Sequence, residues 1–438
     1  MPDLIALSTS ILNGDSAPNI GPVNRITQEL SELAPDLAVI ESFSHVVTFR
    51  TDAGLLLFDA SGKFTGEEVT KTLRRWSDAP IDTLVYTHGH VDHVGGAGAL
   101  IADGAARGHR TPCVVGHANV AARFERYDFT SGYNLHINQR QFGGDPSMLE
   151  GTFLPESTPA PDLTFEKELT LNIGGLRVEL RHAKGETDDH VWAWLPERKT
   201  ICAGDFFIWN FPNAGNPQKA QRYPVEWAVA LRQMAAQGAE LFIPAHGLPI
   251  AGAARIAGVL NDVAGALESL VEQTLAMMNA GAPLDAIVNE VKLDDALLQK
   301  PFLRPMYDEP EFVVRNIYRL YGGWYDGNPS RLKPAPDSHV AREVAALAGG
   351  SATLVKRARE LAASGDFRLA CQLVELAVGA APEDKDAHGA RYEIYRDRRK
   401  VETSLMAKGI FGAAARESFA VAFPGEEFPM TRAKGYAI

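Results

Sequence analysis

The stretch Thr87-His-Gly-His-Val-Asp-His-Val-Gly-Gly96 places four metal-ligand side chains, His88, His90, Asp92 and His93, within six residues. The run Asp82-Thr-Leu-Val-Tyr86 before it is apolar enough for a buried strand, and Ala97-Gly-Ala-Leu-Ile101 beyond the glycines starts a helix. The cluster therefore falls on a strand-to-helix turn, where a sharply curving backbone lets side chains converge. Imidazole nitrogens and a carboxylate suit zinc and other borderline divalent ions. Two histidines two positions apart on an extended chain point the same way and can hold one ion. The Asp-His pair beyond them turns toward a second. A lone histidine is usually structural, but H-x-H-x-D-H points to a metal site rather than to a solvated polar turn.

Outward from this turn, the chain alternates strands and helices. Residues 1 to about 34 are mixed polar, with Pro18 and Pro22, and are expected to cover a sheet edge. Strands are expected at Leu37–Glu41, Ser44–Phe49, Gly54–Phe58, Leu84–Tyr86 and Val114–Val115, with a helix over Thr65–Trp76. A second strand set follows at Leu169–Asn172, Leu176–Leu180, Val191–Leu195 and Thr200–Cys202. Two such halves, each a sheet with helices outside, suit a four-layer αββα sandwich in which ligands gather where strands end.

These residues resemble the first metal-binding motif of the metallo-β-lactamase superfamily, and later segments resemble its further motifs in order. The segment His182-Ala-Lys-Gly-Glu-Thr-Asp-Asp-His190 is similar to the family's G-H-T-x-x-H element, with Glu186 where a histidine is common. Thr200-Ile-Cys-Ala-Gly-Asp205 ends in the Gly-Asp pair whose aspartate bridges two metals in the family, and Leu241-Phe-Ile-Pro-Ala-His-Gly247 carries the last histidine. By position, the resemblance implies that His88, His90 and His190 hold one ion, Asp92, His93 and His246 the other, and Asp205 lies between. Asp59, ending Gly54-Leu-Leu-Leu-Phe-Asp59, matches an aspartate that hydrogen-bonds a ligand histidine. The resemblance spans roughly residues 35 to 260. It implies a pair of divalent cations, zinc above all, activating one hydroxide against an ester. Asp92 and Asp205 are the carboxylates expected to do catalytic work beside the ions.

Composition narrows the partners. The formal net charge is −12 and the pI is near 5.5, which disfavours nucleic acid or an anionic membrane as main partner. Three cysteines, Cys113, Cys202 and Cys371, are expected as buried thiols of a reducing compartment. No apolar run approaches the ~20 residues of a membrane span and no secretion signal precedes the fold, so a cytoplasmic enzyme without membrane insertion is expected.

From about Arg255 helical spacing dominates. The segment Val313-Val-Arg-Asn-Ile-Tyr-Arg-Leu-Tyr-Gly-Gly-Trp-Tyr-Asp-Gly-Asn-Pro329 resembles the core of the helical dimerisation domain of alkyl sulfatases, and the expected hairpin from Val344 to Val378 resembles it too. The resulting division is a catalytic domain over residues 1–260, an all-α dimerisation domain over 261–400, implying a homodimer, and a tail over 401–438. That family's further sterol-carrier-like domain has no room in the stretch after residue 400, which favours smaller substrates.

The expected activity is hydrolysis of a sulfate ester or related small-molecule ester, the alternative being a lactone, thioester or phosphoester at the same site. A diiron oxidoreductase would need a flavin domain, and the helical part offers no Gly-rich phosphate loop. A metal-free scaffold is disfavoured because no ligand position is lost. For the substrate, Tyr133, Asn134 and Arg140 lie in an aromatic and polar stretch over 126–142 expected to cover the cleft, with Arg140 as an anion anchor. Trp209 offers apolar surface after Asp205, and Asn213 matches an asparagine of the family's substrate loop. Gln218 replaces the arginine expected there, with Arg222 near enough to serve. His182, at a strand end, is a candidate support for the ligands, whereas His45 and His117 are not expected to bind metal.

Overall fold

The computed structural model describes residues 3–15, 25–142 and 146–429. They form two compact units. The first draws on residues up to Asn134, on Gly151–Ala282 and on Ala286–Gly322; the second on Leu135–Glu150, Pro283–Asp285 and the chain from Gly323.

The first unit opens with α1 (Leu4–Asn13) and four antiparallel strands, β1 (Leu30–Ala34), β2 (Leu37–Ile40), β3 (Val46–Thr51) and β4 (Gly54–Phe58). The stretch expected to be a lead-in thus supplies a helix and an edge strand. Helix α2 (Gly66–Trp76), with Glu67 and Glu68 in its first turn and Arg74 and Arg75 in its last, complements its own dipole. It carries the chain to β5 (Ile81–Val85), parallel to β4. Then come α3 (Val91–Val94), α4 (Ala97–Ala106), β6 (Cys113–His117), α5 (Asn119–Phe129), α6 (Ser131–Phe142) and β7 (Leu163–Phe165). The first sheet runs in the order β1-β2-β3-β4-β5-β6-β7.

The second sheet is built from β8 (Glu168–Ile173), β9 (Leu176–His182), β10 (Val191–Leu195), β11 (Thr200–Gly204), β12 (Leu241–Pro244) and β13 (Ile250–Ala251), ordered β13-β12-β11-β10-β9-β8. Helix α7 (Pro224–Ala235) crosses from β11 to the parallel β12. Strand alternation decides the layers. Leu37, Val39, Val47, Phe49, Leu56 and Phe58 join Val178, Leu180, Val191 and Ala193 of the other sheet in one core. Their neighbours Ala38, Ile40, Val46, Leu55 and Leu57 pack outward with Val69 and Leu73 of α2 and Leu100 of α4. Each Leu, Ile, Val or Phe among them contributes roughly 1.5–3 kcal/mol on burial. This is the αββα sandwich expected from the sequence.

The helical region does not begin a separate unit at residue 261. Helix α8 (Ala253–Asn279) buries Ile256, Val259, Leu260, Val263, Leu267 and Leu270 and packs on α7. After α9 (Leu284–Glu290) and α10 (Asp295–Leu298), α11 (Pro310–Gly322) packs on α8 as well, so the first unit runs to Gly322. The second unit is all-helical: α12 (Asp337–Ala348), α13 (Ser351–Ala363), α14 (Phe367–Ala380), α15 (Lys385–Val401) and α16 (Leu405–Ala422). Gly365, at φ +86°, and the Asp366 cap turn α13 into α14. The stretch expected as a tail contains α16, which Ser404 caps and whose Ala415 and Phe419 join the core of this unit. Cys202 and Cys371 are buried, but Cys113 is exposed at the start of β6, contrary to expectation. Among the described residues no helix is long and apolar enough to cross a membrane.

Candidate metal centre

Four strand ends deliver the site. Strand β5 ends at Val85, and the next residues turn through His88 and His90 into α3, whose first turn holds Asp92 and His93; His93 N donates to His90 O at 2.9 Å. Strand β4 leads directly into Asp59, at φ +61°, whose Oδ1 accepts Thr87 N at 2.7 Å and whose Oδ2 accepts Thr87 Oγ1 at 2.8 Å. Strand β11 ends at Gly204, at φ +55°, where a Cβ would lie 2.7 Å from His190 Nε2. Only glycine lets Asp205 turn inward there. Strand β12 delivers His246, and a Cβ on the next residue, Gly247, would lie 2.4 Å from the Trp209 ring.

Two donor groups result, His88, His90, Glu186 and Asp205 in one and Asp92, His93 and His246 in the other, each with its ligand atoms within 4.8 Å of one another. Asp205 also reaches across. Its Oδ2 lies 3.9 Å from His88 Nε2 and 3.3 Å from His93 Nε2, and its Oδ1 lies 3.4 Å from His246 Nε2. Asp92 Oδ2 lies 3.5 Å from His93 Nε2 and 3.4 Å from His246 Nε2. These separations exceed the ~2.7–2.9 Å of a charge-assisted hydrogen bond. His93 Nε2 and Asp205 Oδ1 are buried without a formed hydrogen bond. Buried lone pairs that face one another in this way fit cations between them, and the nitrogen-oxygen donor set suits zinc.

Electrostatics agree with that fit. Burial, then His93, pushes the His88 imidazole well below its usual range; burial, then Arg123, does the same to His90. Burial opposes charge on His93, but Asp205, Asp92 and Asp59 overcome it and raise His93 well above its usual value. His246 is likewise raised against burial, chiefly by Asp205, to about 10. Burial and then Asp205 push Glu186 up to about 8, despite Arg222. The carboxylates thus draw in positive charge, which bound cations would supply in place of protons.

Glu186, rather than His190, joins the first group. His190 Nε2 accepts the Asp205 amide at 3.1 Å, and the ring stacks on Phe206 at 4.2 Å. Glu186 Oε1 instead lies 3.5 Å from His90 Nδ1. The other supporting residues are placed as follows. Asp59 Oδ2 lies 2.7 Å from His93 Nδ1. His182 Nδ1 lies 2.9 Å from His190 O and stacks on His117 at 3.8 Å. His45 Nε2 meets Gly247 O at 2.7 Å, and His117 Nε2 meets Glu166 O at 3.0 Å, so neither stands among the donors.

The proposed substrate residues separate into two sets. Asn213 Nδ2 donates to Glu186 Oε1, and Arg222, buried, lies 3.3 Å from the same oxygen. They hold a donor in place. Trp209 is buried, with Nε1 donating to Leu248 O at 2.7 Å, and braces the Gly247 turn instead of offering open apolar surface. The stretch 126–142 holds the end of α5 and the whole of α6. There Tyr133 is exposed, Asn134 Nδ2 donates to O of Thr130, the C-cap of α5, at 3.1 Å, and Arg140 is exposed with Glu417 3.9 Å away. That half-exposed pairing disfavours Arg140 as a site anchor.

Two residues absent from the sequence reading are coupled by charge to the carboxylates of the centre. The Lys219 ammonium is pushed down to about 7 by burial and Arg222, while Asp92 and Glu186 pull it back. The Tyr307 phenol is held well above its usual range by burial, then by Glu186 and Asp92. Asp308, next to Tyr307, accepts Gly215 N at 2.7 Å, which ties this segment to the loop after Asp205. Glu186 itself had a signal, a carboxylate inside the loop between two strands that leads to His190.

A family model described as metallo-beta-lactamase superfamily matches residues 39–246, and one described as alkyl sulfatase dimerisation matches residues 284–419. A linear primary-alkylsulfatase from a Pseudomonas strain is 29% identical over 370 residues, covering 78% of this chain and 68% of that protein. An (R)-specific secondary-alkylsulfatase from Pseudomonas sp. is 27% identical over 383 residues, covering 82% of this chain and 58% of that protein. The solved structure of the stereoselective inverting sec-alkylsulfatase Pisa1 from Pseudomonas sp. superposes with a TM-score of 0.79 at 24% identity, over 90% of this chain and 66% of that one, which shows the common fold. The chain spans 58% to 68% of the length of these two curated relatives. With both family models in sequence along one chain, it belongs to the metallo-β-lactamase superfamily of metal-dependent hydrolases, in the alkyl sulfatase-like branch that carries the dimerisation domain.

Proposed function

We propose that this protein hydrolyses an alkyl sulfate ester at a two-cation centre and works as a homodimer. The observation that carries the reading is Asp205, whose Oδ2 lies between His88 of one donor group, at 3.9 Å, and His93 of the other, at 3.3 Å, while its Oδ1 lies 3.4 Å from His246. His88, His90 and Glu186 would hold one zinc ion, Asp92, His93 and His246 the second, and Asp205 would serve both. Such ions supply Lewis acidity and lower the pKa of water toward neutrality.

The chain's own residues do the rest. Asp92, Glu186 and Asp205 bring three carboxylates against two divalent charges, so the loaded site stays net positive and attracts an anionic ester. Arg222 and Asn213 fix Glu186. Lys219, beside Asp92 and Glu186, would meet the sulfuryl oxygens as a point charge. Tyr307 would offer its hydroxyl to the same group. The substrate class follows the alkylsulfatases among the relatives. A panel of alkyl sulfates, aryl phosphates and lactones, assayed at fixed zinc content, tests it. Alkyl sulfates should give the highest kcat/KM; turnover confined to lactones or phosphates would overturn the assignment.

A further inference from the structure

We infer that Arg123, Asp189 and His190 form a buried bracket that positions the donors of the first ion, with Arg123 and Asp189 as its anchor. The inference rests on the two-ion reading above. Arg123, on α5, is 5% exposed and Asp189 is fully buried. Arg123 Nε donates to Asp189 Oδ2 at 2.8 Å, and a second guanidinium nitrogen donates to Asp188 Oδ1. The same Asp189 Oδ2 accepts Gly89 N at 2.9 Å. Gly89 stands between His88 and His90, so this one bond fixes the backbone that aims both imidazoles.

The packing leaves the turn little slack. A Cβ at Gly89 would lie 2.9 Å from Arg123 Cδ, 3.0 Å from Asp189 Oδ2 and 3.3 Å from the Phe124 ring. The residue after Asp189 reaches the other side of the same group, because His190 Nε2 accepts the Asp205 amide at 3.1 Å. His190 O meets His182 Nδ1 at 2.9 Å and accepts Ala183 N at 3.1 Å, and Val191 N donates to Thr87 O at 2.7 Å. Two consecutive residues therefore hold the amides beside His88, His90 and Asp205. Only the bond to the Asp205 amide touches a donor shared with the second ion; none involves Asp92, His93 or His246, and the anchor of Arg123 and Asp189 bonds Gly89 alone among the donor turns. A bracket predicts that the two ions respond unequally to its loss; an ion pair that only stabilised the fold would affect them alike.

The test is zinc titration of the apo full-length protein against a chromophoric chelator, with thermal melting on the same samples. Wild type, R123M, R123K and the double variant R123M/D189L are compared. R123M should weaken one of the two zinc sites by about 10- to 100-fold, the usual effect of removing an outer partner of a ligand, and leave the other unchanged. R123K should recover part of that loss. R123M/D189L removes both buried charges together, which spares the fold an unpaired ion, yet it still removes the acceptor for Gly89. It should melt near wild type with one site weakened. A double variant binding both ions as wild type does would overturn the bracket. So would parallel loss of both ions with melting temperature in every variant. Uptake of fewer than two zinc ions by wild type would instead overturn the two-ion reading, and this inference with it.

Discussion

Asp59 Oδ2 lies 2.7 Å from His93 Nδ1, so the end of β4 sets the ring that presents His93 Nε2 to the second donor group. Asp59 is 1% exposed, and its other oxygen is taken by Thr87 N at 2.7 Å. Asp59→Asn keeps the shape but loses the charge that orients the imidazole. It should weaken zinc binding at the second site by about 10- to 100-fold. Equilibrium dialysis against a zinc buffer measures this, and wild-type zinc retention would contradict the orienting role.

Glu186 and His190 make rival claims on the first ion. Glu186→Gln removes a carboxylate donor and should leave the protein with close to one zinc per chain and little turnover. His190→Gln keeps an acceptor within reach of the Asp205 amide and should retain two zinc ions, losing stability mainly through the stack on Phe206. Metal analysis of the two purified variants separates them. Two ions in Glu186→Gln, together with one in His190→Gln, would reverse the assignment.

The contrast between those two residues shows where sequence stops. His88, His90, Asp92 and His93 were legible because four donors share one short turn, and Asp205 and His246 because each ends an apolar strand. Within the loop from His182 to His190, spacing alone does not decide which donor turns inward; the Asp205 amide that occupies His190 Nε2 decides it. Tyr307 was invisible because a hydrogen bond from Gly215 to Asp308, far apart in the chain, brings its segment to the site. Strand β1 is short and lies at an edge, and α16 is rich in alanine and glycine, so neither announces itself by periodicity. The sandwich was legible because β2, β3 and β4 alternate side chains between two buried cores.

Lys219→Met should raise KM for an alkyl sulfate more than it lowers kcat. A point charge that meets the sulfuryl group throughout the reaction contributes uniform binding, and its loss appears in KM. About tenfold is expected for one desolvated hydrogen bond to a charged group. Inhibition by free sulfate should weaken in parallel. Unchanged KM and unchanged sulfate inhibition would remove Lys219 from the substrate pocket.

Asp308 offers a pH signature away from the metal donors. It is fully buried, its Oδ2 accepts Gly215 N and its Oδ1 accepts Glu309 N, both at 2.7 Å. Burial nonetheless pushes the carboxyl up to about 7, with the two amides and Arg222 pulling it back. A folded-state pKa above the unfolded value gives stability that is complete at pH values below the unfolded pKa and lost as pH rises through the folded one. Between about pH 4 and about pH 7, wild type should therefore lose stability relative to Asp308→Asn. The ceiling is on the order of 4 kcal/mol. Urea unfolding across that window measures the difference, and a difference independent of pH would show that Asp308 ionises normally.

The dimer can be tested at Trp324, which is 72% exposed within its own chain and lies in the segment Gly323–Pro329 of the second unit. Leu332, close behind it, is also exposed. In a two-fold interface the same residue acts from both copies, so one substitution counts twice. Losing a buried tryptophan costs about 2 kcal/mol per copy, and Trp324→Ala should raise the dimer dissociation constant by about 1000-fold. Sedimentation across a concentration series reads that shift. Leu347, exposed on α12, is the comparison: a shift for Leu347→Ala with none for Trp324→Ala would move the interface to α12.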